Sequence, residues 1–305
     1  MRSPPPPGPT GLTGTGFAYA FAASILWGTA PALFKELGHV TPGEVFAQRV
    51  VWSVPLLLAL ALVIKGPTAF GAILGGRRTV GAYLLTTALI AFNWSLYIWA
   101  VSVDRVTEVS LAYYMAPLMN VIVGVAVLRE RLNPRQTAAV GLAALGVGIL
   151  TVGSGALPVL SIVLAASWTL YSLVRTRAGI DPLMGLLVEA GILAVPAAIY
   201  LLTLDTAGFG SFASIDRATD LKLIAAGVVT ALPVVFYLNA ARHLSFSALG
   251  LSSYLSPTLQ LGIAILYGEP FTAWHAAAFG AIWLGLALYS ADAIRGRQAA
   301  TAAEG

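Results

Sequence analysis

The sequence predicts an all-α integral membrane protein: ten transmembrane helices arranged as two inverted five-helix repeats. Three observations carry that expectation. Of 305 residues, 58% are hydrophobic and only 10% charged, with a mean hydropathy of +0.84, whereas a soluble domain is about a quarter charged. Apolar runs of about 20 residues, the length a helix needs to cross a ~30 Å hydrocarbon core, recur along the whole chain. A seven-residue motif in one of these runs, YMAPLMN at 114–120, returns as YLSPTLQ at 254–260.

Residues 1–15 are rich in Pro and Gly and predict a disordered N-terminal tail. The first apolar stretch is a full span without a small-residue cleavage site, so it is not read as a signal peptide. The first repeat, 16–153, holds spans at 16–34, 44–64, 80–101, 107–128 and 136–153. The second, 157–292, holds spans at 157–174, 183–204, 221–241, 248–267 and 273–292. A cytoplasmic C-terminal tail, 293–305, follows. The short connections leave no room for a soluble domain. With no cysteine, disulfides, thiolate nucleophiles and Cys metal sites are excluded.

Orientation follows from the Lys and Arg in the connections. With the N-terminus inside, the cytoplasmic segments hold twelve (Arg2, Lys65, Arg77, Arg78, Arg129, Arg131, Arg135, Arg175, Arg177, Arg242, Arg295 and Arg297). The outer segments hold four: Lys35, Arg105, Arg217 and Lys222. Both termini are therefore expected in the cytoplasm. The same bias accounts for the pI of 9.4 without a nucleic-acid partner.

The motif recurrence sets the architecture. Tyr114 matches Tyr254, Pro117 matches Pro257, Asn120 matches Gln260, and Tyr97 matches Tyr237 at the same offset. One gap later, Glu130 matches Glu269, Gly141 matches Gly280, and Gly146 matches Gly285; Ala-Ala-Ser recurs at 22–24 and 165–167. Five spans is an odd number, so the second copy enters the membrane from the opposite side. Inverted repeats of this kind are a recurring architecture of secondary transporters, with substrate sites near the midplane on helices broken by Gly or Pro. Pro117 frees the carbonyl of Tyr113, and Pro257 that of Ser253. Those carbonyls, with the Asn120 amide, suit a water-filled cavity; a packing kink bonded to a neighbouring helix is the alternative. Pro31, Pro55, Pro117, Pro196, Pro233 and Pro257 all fall in spans 1–4 and 6–9, so those spans are expected to line the cavity, with spans 5 and 10 peripheral.

Several blocks carry a specific resemblance: LWG at 26–28, EVFAQRVVWS at 44–53, NWSLYIWAV at 93–101, EVSLAYYMAPLMN at 108–120, VEAG at 188–191, SPTLQ at 256–260, YGEPF at 267–271 and LALYSADA at 286–293. Over nearly all of 16–293 the chain resembles the RarD-like branch of the EamA drug/metabolite transporter superfamily. The resemblance implies ten helices in two inverted repeats and inner-membrane transport of small organic molecules, and members are linked with chloramphenicol sensitivity or resistance. Gln48 stands where the family often has His, and Ala116 where it often has Asn.

Charges within spans are costly and are functional suspects by default. They are Glu44, Arg49, Glu108 and Glu189. Arg49 and Glu189 enter from opposite faces, each about six residues deep, which leaves roughly 12 Å between their levels. Glu44 and Glu108 are therefore the expected partners of Arg49, as a structural ion pair or an outer gate. Glu189 is then left without a basic neighbour at its depth and becomes the candidate proton carrier, with a structural carboxyl near the cytoplasmic end as the alternative. Trp27, Asn93, Trp94, Tyr97, Tyr114, Pro117, Asn120, Tyr237, Tyr254, Pro257 and Gln260 are the cavity candidates. Such an aromatic lining suits neutral, zwitterionic or amphipathic substrates. Glycines 141, 146, 280 and 285 are read as close helix contacts.

The function expected is a secondary transporter in a bacterial cell membrane, exporting small organic metabolites or drugs. The partners are the bilayer and a small-molecule substrate, compatible with a homodimer; no cofactor is called for. An intramembrane enzyme is the first rival, but the three His residues (39, 243 and 275) are scattered and no G-x-S-x-G occurs. A channel or scramblase is the second, and the polar residues within the spans are too few for a continuous path.

Overall fold

The computed structural model describes residues 14–72, 77–102, 106–154, 159–268 and 271–304. Every element among them is helical: α1 (Gly14–Glu36), α2 (Pro42–Lys65), a short 3-10 helix (Pro67–Ala72), α3 (Arg77–Ser102), α4 (Val106–Ala126), α5 (Pro134–Ser154), α6 (Val159–Arg177), α7 (Pro182–Thr206), α8 (Arg217–His243), α9 (Phe246–Ser252), α10 (Leu255–Leu266) and α11 (Ala273–Glu304). Nine predicted spans appear as single helices. The ninth is two, α9 and α10. Most of the predicted N-terminal tail, residues 1–13, lies outside the described residues, while α11 runs on through the predicted C-terminal tail.

Seven described helices are long and apolar enough to cross a membrane, and α4 and α11 contribute apolar stretches Leu111–Ala126 and Ala273–Tyr289. Val63 is 85% exposed and Val152 71%. Branched apolar side chains bared to that degree over many helices are a liability in water and ordinary against lipid.

The helices gather into two compact units. One holds the start of α1, α4, α5, most of α6, the last residues of α8, and α9–α11. The other holds the rest of α1, α2, α3, the end of α6, α7 and most of α8. Neither unit is one sequence repeat; each takes helices from both. In the second unit α2 packs on α7, and in the first α5 packs on α11. These are spans 2 and 7, and spans 5 and 10, so each pair joins equivalent members of the two repeats. That pairing is compatible with the inverted-repeat reading.

The ninth span breaks between Ser252 and Leu255. The Ser252 and Ser253 hydroxyls both donate to the Leu249 carbonyl, at 3.0 and 2.7 Å, competing with the helical ladder. The Ser253 amide reaches the carbonyls of Leu249 and Gly250, the Tyr254 amide that of Leu251, and the chain restarts as α10. Pro257 then stands in the first turn of a new helix, where a missing N–H costs nothing. The expectation that Pro257 frees the Ser253 carbonyl is corrected: that oxygen accepts from the Ser256 amide at 3.1 Å. At the equivalent place α4 has Ala112 and Tyr113, with no hydroxyl close to the backbone, and stays helical through Pro117.

The matched glycines divide sharply, one pair from the other. A Cβ on Gly146 would come within 2.6 Å of the Ala278 carbonyl oxygen and 2.7 Å of Ile282. One on Gly285 would come within 2.7 Å of the Ala139 carbonyl. These glycines let α5 and α11 approach closely, as expected. Gly141 and Gly280 do not: a Cβ on either meets nothing within 4 Å, so the packing expectation for them is overturned. Gly146→Ala and Gly285→Ala should each lower the melting temperature of the detergent-solubilised protein, since overpacking costs about 1–3 kcal/mol. Gly141→Ala and Gly280→Ala should leave it unchanged or raise it, because Ala is better than Gly in a helix by about 1 kcal/mol. Circular-dichroism melts of the four variants check this; equal losses at all four would contradict it.

Candidate functional site

The α6–α7 hairpin carries the most costly arrangement in the second unit. Tyr171 and Arg175 are one turn apart on α6; Gly185 and Glu189 are one turn apart on α7. Gly179, at φ +63°, makes the reversal between the helices. Arg175 and Glu189 form an ion pair, Nη1 to Oε1 at 3.2 Å, with both side chains only 1% exposed. The Tyr171 hydroxyl donates to the other Glu189 oxygen at 2.8 Å, and Thr86 of α3 stands beside the carboxylate. Arg175 Nη2 donates to the Pro182 carbonyl at 2.9 Å and to that of Asp181 at 3.4 Å.

This overturns the expectation that Glu189 has no basic neighbour. The sequence places Arg175 among the loop charges because it ends the apolar run of span 6. In the structure α6 continues past it to Arg177, and its side chain turns inward instead of out to the headgroups. Gly185 provides the room: a Cβ there would collide with Arg175 Nη1 and with Ile180. A buried charge is tolerated only when paired and hydrogen-bonded. The glycine on α7, the tyrosine one turn before Arg175 and the carbonyls at the α7 N-terminus together meet that condition.

A second ion pair closes the same hairpin. Asp181 caps α7, accepting from the amides of Leu183 and Met184, both at 3.1 Å. It also accepts from Lys65, the last residue of α2, at 2.8 Å. Burial works against the charged Asp181 carboxylate, but the Lys65 hydrogen bond and the two amides outweigh it and hold its pKa below the usual carboxylate range.

The second unit also holds Trp27, Asn93, Trp94, Tyr97, Tyr237, Glu44 and Arg49. Trp27 and Tyr237 lie 5.6 Å apart, centroid to centroid. The Arg49 guanidinium lies over the rings of Phe46 and Trp94, at 5.3 and 5.2 Å. Glu44 turns elsewhere: its Oε1 accepts from the amides of Ser211 and Phe212, at 2.7 and 3.2 Å. It thus tethers α2 to the α7–α8 connection. Glu108, the other expected partner of Arg49, has its side chain outside the described residues. Gln48, in the family's frequent His position, accepts from Trp52 Nε1 at 2.9 Å.

The first unit holds Tyr114, Pro117, Asn120, Tyr254, Pro257 and Gln260. The two halves of the recurring motif meet there. Gly250, just before the α9 break, abuts the Pro117 carbonyl and Asn120 so closely that a Cβ has no room. Asn120 and Tyr254 are each 1% exposed. Tyr114 packs edge-on against Phe279 of α11, at 5.3 Å, so span 10 is in contact with a predicted cavity residue and not remote from it. Among the described residues, no group of three or more His, Cys, Asp or Glu could hold a metal ion.

Two predictions follow from the hairpin geometry. Gly185→Ala should displace Arg175 and leave Glu189 buried without its countercharge. The loss should approach that of Arg175→Met, about 3–5 kcal/mol for breaking a buried pair, and Arg175→Met combined with Glu189→Met should recover most of it. Thermal melts of the three variants decide this. Asp181 contributes on the acid side: its folded pKa lies below its unfolded one, so its contribution is complete above about pH 4 and is lost as pH falls through the lower, folded value. An acid titration of stability should show this loss in the parent and not in Asp181→Asn.

Residues 14–152 match the EamA-like transporter family. Over 286 residues the chain is 37% identical to an uncharacterized transporter of Vibrio cholerae, covering 93% of this chain and 95% of the relative. It is 36% identical to the protein RarD of Streptomyces exfoliatus, covering 92% and 90%. One solved crystal structure shares the fold with a TM-score of 0.70 at 20% identity, over 93% of this chain and 99% of its own. The chain belongs to the RarD-like branch of the EamA superfamily and is a multi-pass membrane transporter.

Proposed function

We propose that the chain exports small amphipathic organic molecules, chloramphenicol-like compounds among them, from the bacterial cytoplasm in exchange for protons. Transport proceeds by alternating access between two inverted five-helix repeats, 16–153 and 157–292, with both termini inside. The observation that carries the coupling is the buried Arg175–Glu189 pair.

The pair changes the coupling argument from its sequence form. In this conformation Glu189 pairs with Arg175 and accepts from Tyr171, with Thr86 beside it. A proton on Glu189 would leave Arg175 buried without its countercharge, a state costly enough to require different surroundings. An alternate conformation that opens the α6–α7 hairpin to water supplies them. Proton affinity then differs between the two states, which is what a coupled carrier needs. The orientation rests on the twelve-to-four charge bias. Counting Arg175 as internal leaves eleven against four, and the sign of the bias stands.

Proteoliposomes test this reading. A panel of metabolites and antibiotics should show saturable, pH-gradient-driven movement with counterflow; a channel would not show counterflow. Glu189→Gln, and Arg175→Gln combined with Glu189→Gln to remove both charges, should lose the pH drive while keeping substrate exchange. Full pH-driven transport in the double variant would leave the pair structural. Reporter fusions should read cytoplasmic at Arg297 and external near Gly208, and a periplasmic reading at Arg297 would overturn the topology.

A further inference from the structure

The first unit holds a half-open groove of about 230 Å³ where the start of α1, the α9–α10 break and α11 come together. Phe17 and Phe21 of α1 form one wall, stacked with their centroids 6.1 Å apart. Leu251, Ser252 and Leu255 bring the break itself into the lining. Trp283 of α11 forms another wall and is pinned: its Nε1 donates to the Thr258 hydroxyl at 3.1 Å.

The polar side chains of the groove are engaged within the chain. The Ser252 hydroxyl donates to the Leu249 carbonyl at 3.0 Å, and the Thr258 hydroxyl to that of Tyr254 at 2.8 Å. The Trp283 N–H ends on Thr258, and the Tyr289 hydroxyl is hydrogen-bonded to Ser245. A polar ligand entering here would lose its hydrogen bonds to water without replacing them. What the groove does offer is ring and branched aliphatic surface, which suits hydrocarbon.

The mouth of the groove shows where hydrocarbon comes from. Phe21 is 44% exposed and Trp283 47%, and Leu284, next to Trp283, is 60% exposed. In a multi-pass membrane protein an uncovered apolar rim of this kind faces acyl chains, not water. The volume is below the ~300–1,000 Å³ of a site for a drug-sized molecule, whereas a flexible chain entering from the side needs only a slot.

We infer that this groove seats one acyl chain of a bilayer phospholipid, laid along Phe17, Phe21 and Trp283 and against the α9–α10 break. The inference requires a membrane protein but not an exporter, so it stands or falls apart from the transport reading.

Nanodiscs made with a phospholipid that carries a photoactivatable diazirine in one acyl chain test it. After irradiation, labelled peptides are mapped by mass spectrometry. Residues 17–21, 251–258 and 283–289 should carry about tenfold more label than the exposed α5 positions Leu145 and Val152, the ratio of a site preferred by one decade in affinity. Leu255→Trp, which places a ring in the groove, should bring that labelling down to the Val152 level. Trp283→Ala, a change at a half-exposed position, removes a wall and should do the same at 251–258; it carries the test should Leu255→Trp fail to fold. Groove labelling no greater than that of Val152, or unchanged in either folded variant, would overturn the inference. So would loss of the groove label on adding chloramphenicol, which would assign the groove to a small organic solute. A groove labelled in discs holding one copy of the chain and shielded in discs holding two would also overturn it, and would assign the groove to a contact between copies.

Discussion

A bilayer offers no partner to a polar group, so every one placed inside it must be answered from within the chain. The structure of the second unit depends on this constraint most at the Arg175–Glu189 pair. Two charges there are each 1% exposed, and neither could be buried alone. Around them the hairpin has been shaped in detail: Gly185 leaves room for the guanidinium, Tyr171 occupies the second carboxylate oxygen, and the α7 N-terminus lends two carbonyls. Lys65 and Asp181 fix the end of α2 to the same place. One electrostatic requirement thus reaches four helices, from α2 and α3 through α6 and α7. An isosteric apolar pair would pack there at lower desolvation cost.

In the first unit the same constraint is met by backbone and small side chains. Ser252 and Ser253 donate to Leu249 and end α9. The Glu130 carboxylate, arriving from the α4–α5 connection, accepts from the amides of Phe246 and Ser247 and from the Ser247 hydroxyl, at 2.8, 3.1 and 2.6 Å, so the start of α9 is satisfied as well. Gly250 brings α9 against α4 at Pro117 and Asn120. A short helix tied at its start, hydroxyl-capped at its end and seated on a proline-containing neighbour is a defined discontinuity.

Much of this was legible in the sequence. The spans were, because apolar length is the dominant physical requirement of a membrane helix; the pairing of α2 with α7 and of α5 with α11 is compatible with the repeat read from the motifs. The pair-partner of Glu189 was not. Hydropathy ends a span at the first charge, so Arg175 reads as a loop residue, although a glycine at 185 and a tyrosine at 171 show that an inward arginine fits. The destination of Glu44 was hidden for another reason: the donors to it are backbone amides of residues 211 and 212, which any sequence supplies. Glycine was half legible. Gly146 and Gly285 sit at a helix contact and Gly141 and Gly280 do not, a difference of helical phase that the residue type alone does not carry.

The two matched prolines show how far internal symmetry constrains a fold. Pro117 and Pro257 occupy the same place in the two repeats, and sequence logic gives both the same consequence. The outcomes differ, and so do the residues four and five positions earlier: Tyr113 and Ala112 in one copy, Ser253 and Ser252 in the other. Side-chain hydroxyls near the backbone offer its carbonyls another donor, and ring or methyl side chains do not. One copy remains a continuous helix and the other becomes two. Matched sequence positions therefore do not guarantee matched structure: the motif around Pro117 stays one helix, and the motif around Pro257 follows a break between α9 and α10.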